Sequence, residues 1–218
     1  MDNTELAEQR SNIYGLLSLV YLHEPTIDFI RLLNSRDIQD LLNEAGFNLG
    51  EQLKEGNEEN FHEELQVEYA RLFLGPGPHV CPYESVWRDG GSMLWGKTTG
   101  QIKNLIESLG LSYSTEWSGL PDHIGVELEF MQKLILKEKE ARGRKKGKEV
   151  RTCLEIEEKF MNEHLLEWIP SFCDEVVKKS QLLFYKSIAT LTKQFLEYEK
   201  ELLQNLCATS DRESLLTE

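Results

Sequence analysis

No stretch of this 218-residue chain stays apolar for the roughly 18–20 residues that crossing a bilayer requires. No direct membrane insertion is therefore expected. The opening MDNTELAEQR is polar and acidic, unlike a secretory signal, so the cytoplasm is the expected compartment. Basic residues are in short supply. Against 38 Asp and Glu there are 24 Lys and Arg, a net charge of −14, whereas a nucleic-acid binder needs a basic face to neutralise phosphates. No nucleic-acid partner is expected. Cysteine is sparse as well: Cys81, Cys153, Cys173 and Cys207 lie too far apart for a CxxC redox or zinc pair. In a reducing compartment they read as thiols packed as small hydrophobes. Phosphate-binding signatures are also missing. Gly75-Pro76-Gly77-Pro78 lacks the lysine and following hydroxyl of a P-loop, and neither a nucleophile elbow nor GxGxxG occurs. The chain implies no cofactor and no enzyme of those classes.

What the chain does have is apolar residues at helical spacing along most of its length. Ile13, Leu16, Leu17 and Val20 form one stripe, closed by His23-Glu24-Pro25. Phe61, Leu65, Tyr69 and Leu72 form a second. Ile102, Leu105, Ile106 and Leu109 follow Thr98 and Thr99, either of which suits a helix cap, and Gly110 suits the C′ position. Ile124, Leu128, Met131 and Ile135 mark the next helix. Leu154, Met161, Leu165 and Trp168 mark another, expected to end at Pro170. Phe184, Ile188, Leu191, Phe195, Tyr198 and Leu202 predict a last helix of roughly 25 residues, about 37 Å long. Strand alternation and internal repeats are not evident.

The expected fold is therefore an all-α, single-domain helical bundle over residues 1–218, with a long C-terminal helix and a frayed tail over 208–218. An irregular Gly/Pro joint lies around residues 75–95. It carries Tyr83, Val86, Trp87, Met93, Leu94 and Trp95, whose burial is worth about 1.5–3 kcal/mol each, so the joint should pack on the bundle. Acidity concentrates over residues 51–68, which read as a solvated helix face. Residues 137–151 hold eight basic and three acidic side chains plus Gly143 and Gly147, and read as a flexible inter-helix loop.

Candidate chemistry gathers at two places. In LPDHIGVELEF, over residues 120–130, His123 and Glu127 stand one helical turn apart, with Asp122 able to orient the histidine. Three readings stay open there: a metal-dependent hydrolase using His123, Glu127 and Asp122, a helix start capped by Asp122, or an acid–histidine edge of a peptide pocket. In FMNEHLLEWIP, over residues 160–170, Phe160 and His164 fall one turn apart beside Trp168, which suits a histidine packing its helix onto the joint.

The residues also carry a resemblance. YARLFLGPGPHVCPYESVW, over residues 69–87, followed by Pro121-Asp122-His123 resembles the TorD/DmsD/NarJ group of cytoplasmic chaperones that mature molybdenum-containing redox enzymes. The matching positions are Pro82, Tyr83, Glu84, Ser85, Val86 and Trp87, then Pro121, Asp122 and His123. Cys81 departs from the family, which usually places a proline there. The resemblance implies a non-enzymatic chaperone that binds the precursor of a molybdoenzyme catalytic subunit by its twin-arginine leader, its mature body or both, before cofactor insertion and export. It also implies a monomer or a domain-swapped dimer, with residues 114–120 as a possible hinge. On this reading Tyr83, Trp87, Leu94, Trp95 and Phe130 would form an apolar groove. Glu84, Asp122 and Glu127 would receive arginine in charge-assisted hydrogen bonds, with Ser85, Pro121 and His123 alongside. A leader-independent assembly adaptor of a membrane-bound reductase, as in the family's nitrate-reductase branch, is the alternative within the same family.

Overall fold

The computed structural model describes residues 2–44, 58–75, 77–89, 94–111 and 119–215. Ten α-helices are described: α1 (Asn3–Leu22), α2 (Ile27–Leu33), α3 (Arg36–Glu44), α4 (Glu58–Tyr69), α5 (Glu84–Arg88), α6 (Lys97–Ser108), α7 (Ile124–Gly143), α8 (Gly147–Phe160), α9 (Leu166–Lys179) and α10 (Leu183–Leu215). Two π-helical turns, Ala70–Leu74 and Met161–Leu165, extend α4 and lead into α9. Among the described residues there is no strand, only an isolated antiparallel bridge between Tyr83 and His123. The all-α expectation holds. No described helix is long and apolar enough to cross a membrane.

The chain divides into two compact units, one formed by residues 1–22, 83–169 and 195–218, the other by 23–82 and 170–194. In the first unit α1 and α7 lie side by side, and Ser18 Oγ donates to the Gly125 carbonyl at 2.8 Å. A β-carbon at Gly125 would stand 2.8 Å from Leu22 Cβ, so glycine permits the close approach of the two helices. At the centre Arg10, 2% exposed, meets three fully buried carboxylates: Glu138 (2.8 Å), Glu157 (2.7 Å) and Glu199 (3.0 Å). One cation thus ties α1 to α7, α8 and α10. Tyr14 packs edge-on against Phe195 at 4.9 Å, and Phe130 against Phe160 at 4.7 Å.

In the second unit Phe73 lies between Tyr69, Phe172 and Tyr185, at ring distances of 5.1, 6.0 and 6.0 Å. Glu68, 3% exposed, accepts from Arg71, from Ser180 Oγ and from the amides of Gln181 and Leu182, so it caps the start of α10. The Val80 amide donates to the Leu72 carbonyl at 2.7 Å and holds the strip after the Gly-Pro loop against the π turn.

Several expectations change. Residues 137–151 are not a loop: α7 runs to Gly143 and α8 starts at Gly147, leaving the three-residue turn Arg144–Lys146. Lysine, arginine and glutamate are good helix formers, and the pairs Glu138–Arg142, Glu140–Arg144 and Arg151–Glu155 stand at the supporting i,i+4 spacing. Pro170 does not end a helix. It lies inside α9, which continues directly from the π turn Met161–Leu165, where the regular i to i−4 bonding is already interrupted. α10 has 33 residues, about 50 Å, and runs to Leu215 through most of the stretch read as a frayed tail. Residues 114–118 of the possible hinge and 51–57 of the acidic run lie outside the described residues. Gly110, at φ 62°, takes the C′ role expected of it.

Candidate functional site

The joint ends where Tyr83 enters the first unit with extended backbone, and α5 starts one residue later. Five residues make too short a helix to hold itself, so its shape depends on outside partners. Asp122 supplies two. Its carbonyl accepts from the Glu84 amide at 2.9 Å, and its Oδ2 accepts from the Ser85 amide at 3.1 Å. The Pro-Asp-His turn therefore caps the helix of the other motif. Its own helix, α7, is capped by His123, whose Nδ1 accepts from the Gly125 amide at 3.1 Å. The reading in which Asp122 caps this helix, one of the three left open, is thereby corrected. The rings of Tyr83 and His123 meet edge to face at 5.1 Å.

Glu84 is the hub. It is fully buried, receives His164 Nδ1–H at 2.9 and 3.2 Å, and is reached by the Arg88 guanidinium. Arg88 Nη1 also donates to the Glu163 carbonyl at 2.6 Å, so α5 is bound to the second π turn. His164 stacks on Phe160 at 5.0 Å. Glu127, one turn into α7, is fully buried and accepts from the Trp168 indole at 3.0 Å. Burial, then the nearby Glu84 carboxylate, raises the Glu127 carboxyl well above the usual carboxylate range. On the far side of α5, Asp89 accepts from the amide and hydroxyl of Thr98 at 3.0 and 2.8 Å. The Thr98 amide is the main cause of its lowered pKa. Asp89, rather than Thr98 or Thr99, thus fills the capping role at α6. Both threonines are buried in its first turn.

The predicted site residues separate into two groups. Tyr83 and Trp87 are half-buried, and Leu94 and Trp95 are exposed at 56% and 65%. Trp95 has φ 77°, a left-handed backbone that a bulky side chain rarely adopts. Glu84, Ser85, Pro121, Asp122, His123, Glu127 and Phe130 are buried. Residues 121–128 are eight consecutive buried positions, so the first turns of α7 keep no solvent face. An open cleft edged by carboxylates is therefore not present at these positions, and Phe130 belongs to the core against Phe160. The acids set the position of α5, and the four apolar side chains at residues 83–95 face outward to varying degrees.

Asp122, His123 and Glu127 are hydrogen-bonded to Ser85, Gly125 and Trp168 respectively. Among the described residues no group of three or more His, Cys, Asp or Glu could hold a metal. Sequence reasoning missed Arg88 altogether and did not join His164 and Trp168 to the acids. Glu84 and His164 are 80 residues apart, and periodicity within one helix says nothing of such a pairing.

The sequence profile of the family described as "Nitrate reductase delta subunit" matches residues 33–174, which include every residue named above at this site. The Chaperone protein TorD of Aliivibrio salmonicida is 27% identical over 207 residues, covering 90% of this chain and 95% of that protein. The Chaperone protein TorD of Vibrio cholerae is 26% identical over 212 residues, covering 92% and 94%. A solved structure described as a redox enzyme maturation protein from Archaeoglobus fulgidus matches with a TM-score of 0.57 and 26% identity, covering 86% of this chain and 93% of that one.

Proposed function

We propose that this chain, which belongs to the nitrate reductase delta subunit family, is a chaperone for the precursor of a molybdenum-containing redox enzyme. It is not an enzyme. It works in the cytoplasm, holding the precursor by its twin-arginine leader, and by its folded body, before cofactor insertion and export. Support comes from relatives that carry the name Chaperone protein TorD along nearly their whole length, and from a structural neighbour described as a redox enzyme maturation protein.

The observation that carries the reading is the exposed pair Leu94 and Trp95, next to half-buried Tyr83 and Trp87, on a segment anchored by buried polar bonds. A solvent-facing tryptophan beside an exposed leucine leaves apolar surface in water that a partner would cover. Burying about three leader leucines contributes roughly 5–8 kcal/mol, while ordering the leader costs roughly 2–5. A micromolar dissociation constant, about −8 kcal/mol, would suit a chaperone that must release its client.

Calorimetric titration with a synthetic twin-arginine leader tests this. Micromolar binding is expected, weakened at least tenfold in the double variant Leu94→Ala/Trp95→Ala with an unchanged thermal midpoint. Unaltered affinity in that variant overturns the proposed surface. The description of the matching family favours a second reading, an assembly adaptor that docks a reductase body without reading a leader. Capture of a client lacking its leader, at the same yield as the full precursor, selects that reading.

A further inference from the structure

Glu84 has no direct route to solvent. Its own side chain is 0% exposed and that of its partner His164 is 10% exposed, whereas that of Arg88 is 31% exposed. Among the described residues, Arg88 is the charged partner of Glu84 that also faces water. The neighbouring polar atoms are not saturated. Asp122 Oδ1 and Ser85 Oγ are buried without a hydrogen-bond partner, beside the bond that joins these two residues. Arg88 itself engages two acceptors, Glu84 Oε1 and the Glu163 carbonyl, out of the five N–H donors of a guanidinium, with Glu167 Oε2 further off at 3.9 Å.

We propose that Arg88 is a built-in stand-in for an arginine of the bound peptide, which takes over its seat on Glu84 and the Glu163 carbonyl. The inference rests on the leader-binding reading and adds a determinant of specificity to it. Exchanging one guanidinium for another never leaves the buried Glu84 unpaired, a state that would be strongly unfavourable. The exchange itself is then close to neutral, and the apolar contacts of the leader decide whether it occurs. Arg88 makes both contacts through one nitrogen, Nη1, and its other amino group lies toward Glu167 Oε2 at 3.9 Å. A peptide that lacks arginine leaves Arg88 in its seat and gains nothing from Glu84.

The test uses Arg88→Ala in the full chain with two readouts. Millimolar methylguanidinium should raise the thermal midpoint of Arg88→Ala by several degrees and leave the wild type unmoved, because only the variant has a vacant seat. A leader with paired arginines should bind Arg88→Ala about tenfold more tightly than wild type, while the same leader with both arginines changed to alanine should gain nothing. Absence of the methylguanidinium effect overturns the seat. The effect without tighter leader binding overturns the stand-in role. A wild-type protein that binds no leader, with the methylguanidinium effect intact in the variant, sinks the leader-binding reading instead. If Arg88→Ala does not fold, Arg88→Gln removes the charge and keeps much of the side chain's length. It should show the same tightening, and no tightening overturns the proposal.

Discussion

Trp168 donates its indole N–H to Glu127 across 3.0 Å, and so fastens the start of α9 to the first turn of α7. The indole lies 6.5 Å from that of Trp87, so the same bond steadies a ring at the proposed client surface.

Glu127 should accept glutamine with little loss. Its carboxyl is raised by burial and by Glu84, so the folded state retains a proton that the unfolded state releases in the ordinary carboxylate range. The stability contributed by Glu127 is therefore fully present below about pH 4.5 and is lost as pH rises toward its raised folded value. Glu127→Gln keeps an acceptor for Trp168 without that pH dependence. Between pH 5 and 8 its thermal midpoint should fall less with rising pH than that of the wild type. Glu127→Ala should cost about 2–4 kcal/mol, through the cavity and the unpaired indole, and should shift Trp168 fluorescence.

Much of the fold was legible in the sequence because helical spacing is a local signal. Leu16, Leu17 and Val20, or Phe184, Ile188 and Leu191, mark buried faces without knowledge of a partner. Ends and pairings were harder to read. Asp89 serves α6 from nine residues before Thr98, and Asp122 serves α5 from 37 residues beyond Ser85. Neither leaves a trace in the spacing around the helix it supports. The burial of Glu84 and Glu127 was hidden for another reason. Glutamate is almost never fully buried unless paired, and the pairing partners His164, Arg88 and Trp168 come from other parts of the chain.

The Arg10 cluster should be sensitive to loss of its cation and tolerant of one neutral acid. Arg10 and Arg142 bring two positive charges to three buried carboxylates, which leaves one acid favoured to stay protonated. Glu157 fits that part, pushed up to about 8 by burial despite Arg10. Arg10→Met should cost about 3–5 kcal/mol in urea unfolding at pH 7, through the uncompensated carboxylates it leaves. Glu157→Gln should cost under about 1 kcal/mol. It should also resist alkaline loss, since the wild type's contribution from this group fades as pH rises through about 8.

Glu68 should behave in the opposite sense. Burial works against its charge, but Arg71, the Gln181 amide and Ser180 outweigh burial and hold the carboxyl at about 2. Its contribution is fully present above about pH 4.5 and lost as pH falls toward 2. Glu68→Gln should therefore lower stability by up to about 3 kcal/mol at pH 7 and by far less near pH 2. Denaturant midpoints at the two pH values check this, and an equal loss at both would show that packing, not charge, accounts for the effect.

Glycine substitutions separate helix propensity from helix approach. Gly100 and Gly143 are helical, and a β-carbon at either meets nothing within 4 Å, so alanine there should stabilise by about 0.5–1 kcal/mol through helix propensity and a less disordered unfolded chain. Gly125 is also helical and would gain the same propensity. Its β-carbon, however, would stand 2.8 Å from Leu22 Cβ and 3.0 Å from Leu22 Cα, atoms that cannot swing aside as a side-chain tip can. α1 and α7 would have to separate, stretching the 2.8 Å bond from Ser18 to the Gly125 carbonyl. Gly125→Ala should thus destabilise by about 1–3 kcal/mol, an overpacking cost that exceeds the propensity gain. Thermal unfolding of the three variants side by side checks it: midpoints raised at 100 and 143 and lowered at 125 place the constraint in the helix contact, whereas a raised midpoint at 125 would mean that α1 and α7 are less closely packed than described.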